Sequence, residues 1–320
     1  MRNSRVCGLV FAVVLAGASA FATRADAQQQ AQGFAVDRLY MSAPGGGWFV
    51  MDDLDLHGGL DGAMSMTTGY AMKPLRVTDG SHHLAVVSDQ AITDFGFAVT
   101  YDRWRLYLNL DAPLVSRGQS GTVGDYQLTA PSFDLGTHPD TISDPRIGVD
   151  ARLLGDPRSA FRLGASAQLF VPNGNRSDYD TDGTFRGMLR VLAAGDHRFL
   201  TYAAQLGVHI RPLDDAPTPG SPQGSELLFG VAAGARLPVS RDGGTLFVVG
   251  PELYGETALR SFFGTTATGL EGLLTGRLET TTRGTKWRVK LGSGGGLDPH
   301  FGAPEWRAVV GIEIFDHNAL

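Results

Sequence analysis

Charged side chains recur at every second position in short segments that are apolar at the positions between. In Arg146-Ile147-Gly148-Val149-Asp150-Ala151-Arg152-Leu153 one side is Ile, Val, Ala and Leu, and the other carries Arg146, Asp150 and Arg152. The run Phe161 to Val171 repeats the pattern, with Arg162 on the polar side. Successive side chains of a strand point to opposite faces, so this is the period-2 signature of an amphipathic strand. Extending the alternation puts Arg105, Arg186, Arg190, His209, Arg236, Glu252, Glu271, Arg277, Arg288, Lys290, Arg307 and Glu313 on the polar side. Arg103, Arg211, Lys286, Asp61, Asp94, Asp111, Glu226 and Glu279 join them, which makes fourteen basic groups against nine acidic. Two kinds of chemistry fit such a set. A cationic wall would favour small anionic solutes, as rings of Arg or Lys do. An ion-pair network would fill the interior as a core. Both readings stay open at this level.

Two other constellations have less to offer. Asp178-Tyr179-Asp180-Thr181-Asp182-Gly183 matches the first half of a calcium loop, but the twelfth position, which needs Glu, is Leu189. Asp178, Asp180 and Asp182 are therefore a weak metal candidate, and a solvated acidic loop is the simpler expectation. A barrel-borne lipid hydrolase would need adjacent His and Ser on the apolar face. His209 falls on the polar face beside Arg211, and the other histidines fall at turns, loops or termini. No enzyme activity, catalytic residue or cofactor is expected.

Twelve strands are needed to place these groups. They are read at about 60–72 (with an extension through Leu75-Arg76-Val77 left open and a tight-turn signal at Asp79-Gly80), 91–101, 103–111, 146–153, 161–171, 184–194, 204–211, 226–236, 246–255, 269–280, 286–291 and 305–315. Short turns are expected at Asp102, Gly155-Asp156-Pro157, Gly195-Asp196, 241–244 and 282–284, and long connections alternate with them. Among the long connections are 116–144, which could fold inward and narrow the interior, and the last loop, 294–303. Residues 28–55 are the least regular part. Their Trp48-Phe49-Val50-Met51 run suits a leading strand or a segment tucked into a barrel mouth.

Which face is inside decides the class. The apolar face has no Lys, Arg, Asp or Glu across its central spans, where one charge at a bilayer midplane would cost roughly 2–4 kcal/mol. Aromatics mark its ends: Trp104, Trp287 and Trp306 at strand starts, Tyr70 and Tyr101 at strand ends. That is the layout of an interfacial girdle. A closed barrel also satisfies every backbone polar group in lipid. The expected fold is all-β: a transmembrane antiparallel up-and-down β-barrel of about twelve strands, monomeric, with the polar face lining a lumen.

The N-terminus agrees with an exported chain. Arg2 and Arg5 precede the apolar run Val10 to Ala18, and Ala25-Asp26-Ala27 offers a small-x-small cleavage site. The division expected is a signal peptide over 1–27, a lead-in segment over 28–55 and the barrel over 56–320. Cys7, the single cysteine, lies in the signal, so the mature chain has no disulfide or thiolate metal site. Cleavage removes Arg2, Arg5, Arg24 and Asp26 and leaves a net charge of −8. Such acidity argues against a nucleic-acid partner.

The run Asp144-Pro145-Arg146-Ile147-Gly148 to Gly155, with Phe161 to Val171-Pro172-Asn173-Gly174, resembles outer-membrane barrels of the phenol meta-pathway transporter type. Trp48-Phe49-Val50, Gly183 to Asp196, Gly224 to Gly230 and Gly250-Pro251-Glu252-Leu253-Tyr254-Gly255 resemble the barrel region of myxobacterial-type OmpA-family proteins. The resemblance implies a Gram-negative outer-membrane barrel reached by Sec-type export. It also implies partners in outer-membrane lipid or lipopolysaccharide, the barrel-assembly machinery and periplasmic chaperones. The peptidoglycan-binding domain of OmpA-family proteins has no counterpart up to Leu320. The function expected is a passive channel or transporter for small solutes of unknown identity, with a closed structural or loop-binding barrel as the alternative.

Overall fold

The computed structural model describes residues 29–316, except 57–58, 81, 139–140, 158, 214–222, 241–243, 283 and 299–301. The expected signal peptide and the greater part of the 241–244 turn lie outside the described residues, as does the middle of the 282–284 turn.

Twelve long strands close on themselves. They are β1 (Leu60–Asp79), β2 (His82–Tyr101), β3 (Trp104–Arg117), β4 (Arg146–Leu154), β5 (Arg162–Phe170) and β6 (Arg186–His197). They continue as β7 (Leu200–Ile210), β8 (Glu226–Pro238), β9 (Thr245–Ala258), β10 (Thr268–Thr282), β11 (Thr285–Asp298) and β12 (Trp306–Asp316). Every strand pairs antiparallel with its chain neighbours, and β12 pairs with β1 to shut the ring. Closure leaves no edge, which is how a sheet satisfies its backbone in lipid. The first and last strands begin and end at the short-turn side, where Phe315 lies opposite Ala63 and Leu60 opposite Tyr101.

The outer wall is apolar. Leu189, Leu206, Val231, Leu274, Leu291 and Val310 are all exposed there. Tyr101, Trp104 and Trp287 ring the short-turn end, while Tyr70 and Trp306 meet at the opposite end with ring centroids 6.0 Å apart. Strands of this kind expose an apolar band about 25 Å tall between aromatic girdles. The molecule is a transmembrane β-barrel of the outer-membrane type.

Four sequence expectations need correction. Strand β2 starts at His82, not near 91, so β1 and β2 form a hairpin that projects beyond the girdle at the long-loop end. A bulge between Met72 and Leu75, with Lys73 at φ 49°, shifts the alternation there and hides it. The turn expected at Gly195-Asp196 falls after His197 instead, at Arg198 with φ 54°. Strand β11 runs on through Gly294–Gly296, expected as loop. These residues pair with β10 so closely that a Cβ on Gly294 would lie 1.8 Å from the Gly272 carbonyl oxygen. Finally, Arg103 sits on the short-turn rim beside Asp102, more than half exposed, rather than inside.

Candidate functional site

The lumen is not empty. Residues 31–56 run through it from end to end without forming a barrel strand. At the long-loop end the Ala31 N–H donates to the Gln127 carbonyl (2.9 Å) and the Ala35 N–H to Asp182 (2.9 Å). At the short-turn end the Leu56 carbonyl accepts from Arg152 (3.1 Å). This segment, a plug, is neither a leading strand nor confined to one mouth.

Its apolar side chains fill sockets in the wall. Trp48, Phe49, Met51, Leu54 and Leu56 are 0–1% exposed. Facing them are wall glycines. A Cβ at Gly292 would lie 2.8 Å from the Phe49 ring, and one at Gly234 would lie 2.7 Å from Trp48. A Cβ at Gly230 would meet Met51 at 2.3 Å, and one at Gly164 would meet Leu54 at 2.8 Å. Glycine weakens an isolated strand. Here its missing side chain is the space the plug occupies, which gives a reason for glycine inside patterned strands.

Polar wall groups hold the plug backbone. Glu252 on β9 is wholly buried. Its Oε1 accepts the Phe49 N–H (3.0 Å) and the Thr275 hydroxyl (2.7 Å), and its Oε2 accepts the Val50 N–H (2.9 Å). Lys290 donates to the Trp48 carbonyl (3.1 Å) and to Glu313 (2.6 Å). Arg162 donates to the Asp53 carbonyl (2.8 Å) and to Asp196 (2.9 Å). Arg105 bridges Asp150 (2.6 Å) on the wall and Asp52 on the plug. The Arg277 guanidinium lies over the Trp48 ring, 5.0 Å from its centre. Arg288 bonds Glu279 (2.9 Å) and Glu313 (2.6 Å).

Nearer the long-loop end the plug is ionic too. Arg307 bonds Glu271 (2.9 Å) and Asp37 (2.8 Å). Arg38 of the plug reaches Glu226 (3.2 Å) and Glu256 (3.3 Å), and Arg211 bridges Glu226 and Asp182. His209 is buried between Tyr40 and Phe170, 3.4 Å from Glu226. Arg186 bonds Asp144 (2.9 Å) and lies over the Phe170 ring, while Arg190 bonds Gln205 and Ser166. Arg236 stays at the short-turn mouth with Asp196. Sequence reasoning missed the plug-side partners Asp37, Arg38, Asp52 and Asp53. They lie dozens to hundreds of residues from the groups they meet, and no periodicity marks them.

Of the described residues in the stretch 116–144, Ser143 and Asp144 at its end reach the interior beside Asp111 and Arg186, and the short strands before them lie over the long-loop end. Short strands Gly121–Val123 and Tyr126–Leu128 put Val123 and Leu128 in one cluster with Phe34 and Val36 of the plug and with Leu75, Val77, Val86 and Val87 of the projecting hairpin. This cluster covers the long-loop end. Among the described residues, interior cavities beside the plug measure about 20 Å³ and about 50 Å³. A single water needs roughly 10–15 Å³, so these hold a few waters and no solute.

The three aspartates of the weak metal candidate do not converge. Asp182 is taken by Arg211 (2.6 Å) and the Ala35 N–H, and Asp180 Oδ1 accepts the Asn175 N–H (2.9 Å). Among the described residues the one group spaced to hold a metal is His209, Glu226 and Glu256, where Arg38 and Arg211 already supply the positive charge. In the 171–185 loop, burial opposes ionisation of Asp182, but Arg211 holds its carboxyl well below the usual range. Burial instead pushes the Asp180 carboxyl up to about 7. A raised folded-state pKa means the folded loop binds the proton more tightly than the unfolded one. Its stability therefore falls as pH rises from the unfolded value, about 4, through 7. The Asn175 amide is expected to exchange faster at pH 8 than at pH 6 after correction for intrinsic rates, and Asp180→Asn to remove the difference. Exchange independent of pH in the natural chain would refute this.

No protein-family model matches the chain, and none of the curated proteins is significantly similar to it. Among solved structures it is similar to an outer membrane channel from Pseudomonas putida F1, at 13% identity and a TM-score of 0.51. The match covers 82% of this chain and 96% of that one. It is also similar to the NanC porin, at 9% identity and a TM-score of 0.44, over 80% of this chain and 100% of that one. The first likeness shows the fold, that of an outer-membrane barrel, and leaves the solute open.

Proposed function

We propose that this chain is a passive outer-membrane channel for small solutes, closed at rest by its own N-terminal segment. One observation carries the reading. The wall is complete without the plug, since all twelve strands pair around the ring, and what fills the lumen is one continuous stretch outside that pairing. A filler of this kind can leave without unfolding the barrel. The proposal extends to export by a cleaved signal peptide over 1–27, to a monomer in contact with lipopolysaccharide, and to assembly by the barrel machinery. The likeness to the barrel region of OmpA-family proteins is part of the same proposal, and no enzyme activity is assigned.

A second reading, a closed structural barrel that binds partners through its loops, is favoured by the small residual cavities. Planar-bilayer recording separates the two. On the channel reading, the refolded chain is silent or opens briefly, and a variant lacking 29–55 conducts steadily. If the deletion variant inserts as a heat-modifiable barrel and still passes no current, the structural reading holds.

A further inference from the structure

Among the described residues, one buried cation of the inner wall lacks a counter-charge. The others each meet a carboxylate, as Arg105 meets Asp150, Arg146 meets Asp94 and Lys290 meets Glu313. Arg190 on β6 is the exception. It is 6% exposed and donates to Gln205 Oε1 (3.0 Å) and to Ser166 Oγ (3.0 Å), both neutral. A guanidinium carries five N–H groups, and the Nε of Arg190 is buried with no hydrogen-bond partner. The acid level with it in the register, Asp150, lies beyond Ser166 on β4 and gives its Oδ2 to Arg105. A buried charge with no partner is strongly destabilising, and an unused buried donor calls for an acceptor.

The wall is shaped around this side chain. Gly207 stands opposite it on β7, and a Cβ on Gly207 would lie 2.7 Å from Arg190 Cγ, so the aliphatic stem lies against the glycine. The groups near its head are neutral donors. The Ser166 oxygen and the Gln205 oxygen accept from Arg190, which leaves the hydroxyl hydrogen and the Gln205 NH₂ group to donate. One step along the wall, the Tyr107 hydroxyl accepts from Gln168 (2.5 Å) and keeps its own hydrogen. The Tyr107 ring lies over Gly148, where a Cβ would come within 2.1 Å of it.

We propose that Arg190 is the binding site for a small monoanion, a halide or a compact oxyanion such as formate or nitrate, held by the guanidinium Nε–H and by the neutral donors beside it. Charge-assisted hydrogen bonds of this kind are the strong ones. One fixed positive charge matches one negative charge, and a dianion would bring in a second charge with no partner. Gln205 also borders the interior cavity of about 20 Å³, little more than one water needs, so what reaches Arg190 is no larger than a few atoms. The site belongs to the wall and stands whether or not the plug leaves.

The refolded mature protein is unfolded with urea in sodium chloride, formate, nitrate or gluconate at matched ionic strength, and unfolding is followed by tryptophan fluorescence. A ligand that binds the folded state alone stabilises it by mass action. The three small anions are expected to lower the unfolding equilibrium constant about tenfold relative to gluconate, the effect of an anion present at about ten times its dissociation constant. Arg190→Gln removes the charge and is expected to lose that difference. Gln205→Glu puts a carboxylate where the amide oxygen stands 3.0 Å from Arg190, and it is expected to lose the difference too while the guanidinium stays. Comparison with these two variants subtracts the general effect of each salt on stability, and Gln205→Glu carries the test if Arg190→Gln does not refold. A response to formate and nitrate but not to chloride would narrow the class to planar oxyanions, and the converse to halides. A natural chain that responds to the four salts no differently from the variants would overturn the proposal and leave Arg190 to interior water. The conductance of the 29–55 deletion is unaffected by that failure, so the channel reading is judged separately.

Discussion

Deletion of residues 29–55 is expected to turn a silent barrel into one that carries a steady, anion-preferring current. The expectation follows from where the charges go. The segment from 29 to 56 contains Asp37, Arg38, Asp52, Asp53 and Asp55, a net charge of −3. Each acid faces a wall cation: Asp37 faces Arg307, Asp52 faces Arg105, Asp53 faces Arg277 and Arg288, and Asp55 faces Lys286. Their removal leaves those cations lining an aqueous path in a low-dielectric wall, where fixed charge governs which ion enters. A salt gradient across the bilayer reads the preference from the reversal potential. Arg277→Glu with Arg288→Glu in the deletion background is expected to weaken or invert it, with heat-modifiability confirming the barrel. Cation preference in the deletion variant itself would contradict this charge assignment.

The second large effect is expected at Glu252. This carboxylate accepts hydrogen bonds from two consecutive plug amides, Phe49 and Val50, while Thr275 holds it in place. Hydrogen bonds to a charged acceptor contribute about 1.5–3 kcal/mol each, and a buried N–H left without an acceptor costs about 1–3 kcal/mol. Glu252→Ala should therefore weaken plug docking by about 2–4 kcal/mol, which raises the released fraction by about 30- to 1,000-fold. Glu252→Gln should act in the same direction, because its NH₂ group would face a plug amide. Rapid maleimide labelling of Ala43→Cys in the Glu252→Ala background is the readout. The barrel itself should keep its melting behaviour, since strand pairing at Glu252 is through the backbone. Labelling as slow as in the parent would mean that Glu252 does not anchor the plug.

Much of the wall could be read from alternation. Arg105, Asp150, Arg162 and Glu313 are each at most 2% exposed, while Leu106, Val149 and Ile312 beside them face outward. That contrast is local, one residue to the next, and a period of two reports it directly. Strand ends were harder where a bulge or a glycine run broke the period, as at Lys73 and at Gly294–Gly296. The plug was not legible. A segment surrounded by wall on all sides has no polar face and no period, so Trp48-Phe49-Val50-Met51 showed only that it was apolar. The glycines that receive it, Gly164, Gly230, Gly234 and Gly292, carry no side chain to signal a partner. The traces of the plug were the apolar run Trp48-Phe49-Val50-Met51, suited to a leading strand or a barrel mouth, and the basic surplus on the inner face. Its partners proved to lie in the segment that precedes the barrel.

The most direct measurement is amide hydrogen exchange at Phe49, Val50 and Met51 in the refolded mature protein. An inserted plug should protect the Phe49 and Val50 amides about as strongly as the neighbouring amides of β9, because exchange then requires release from Glu252 and from the lumen. Exchange at the rate of an unstructured peptide, with β9 still protected, would place the segment outside the barrel and contradict the closed state described above.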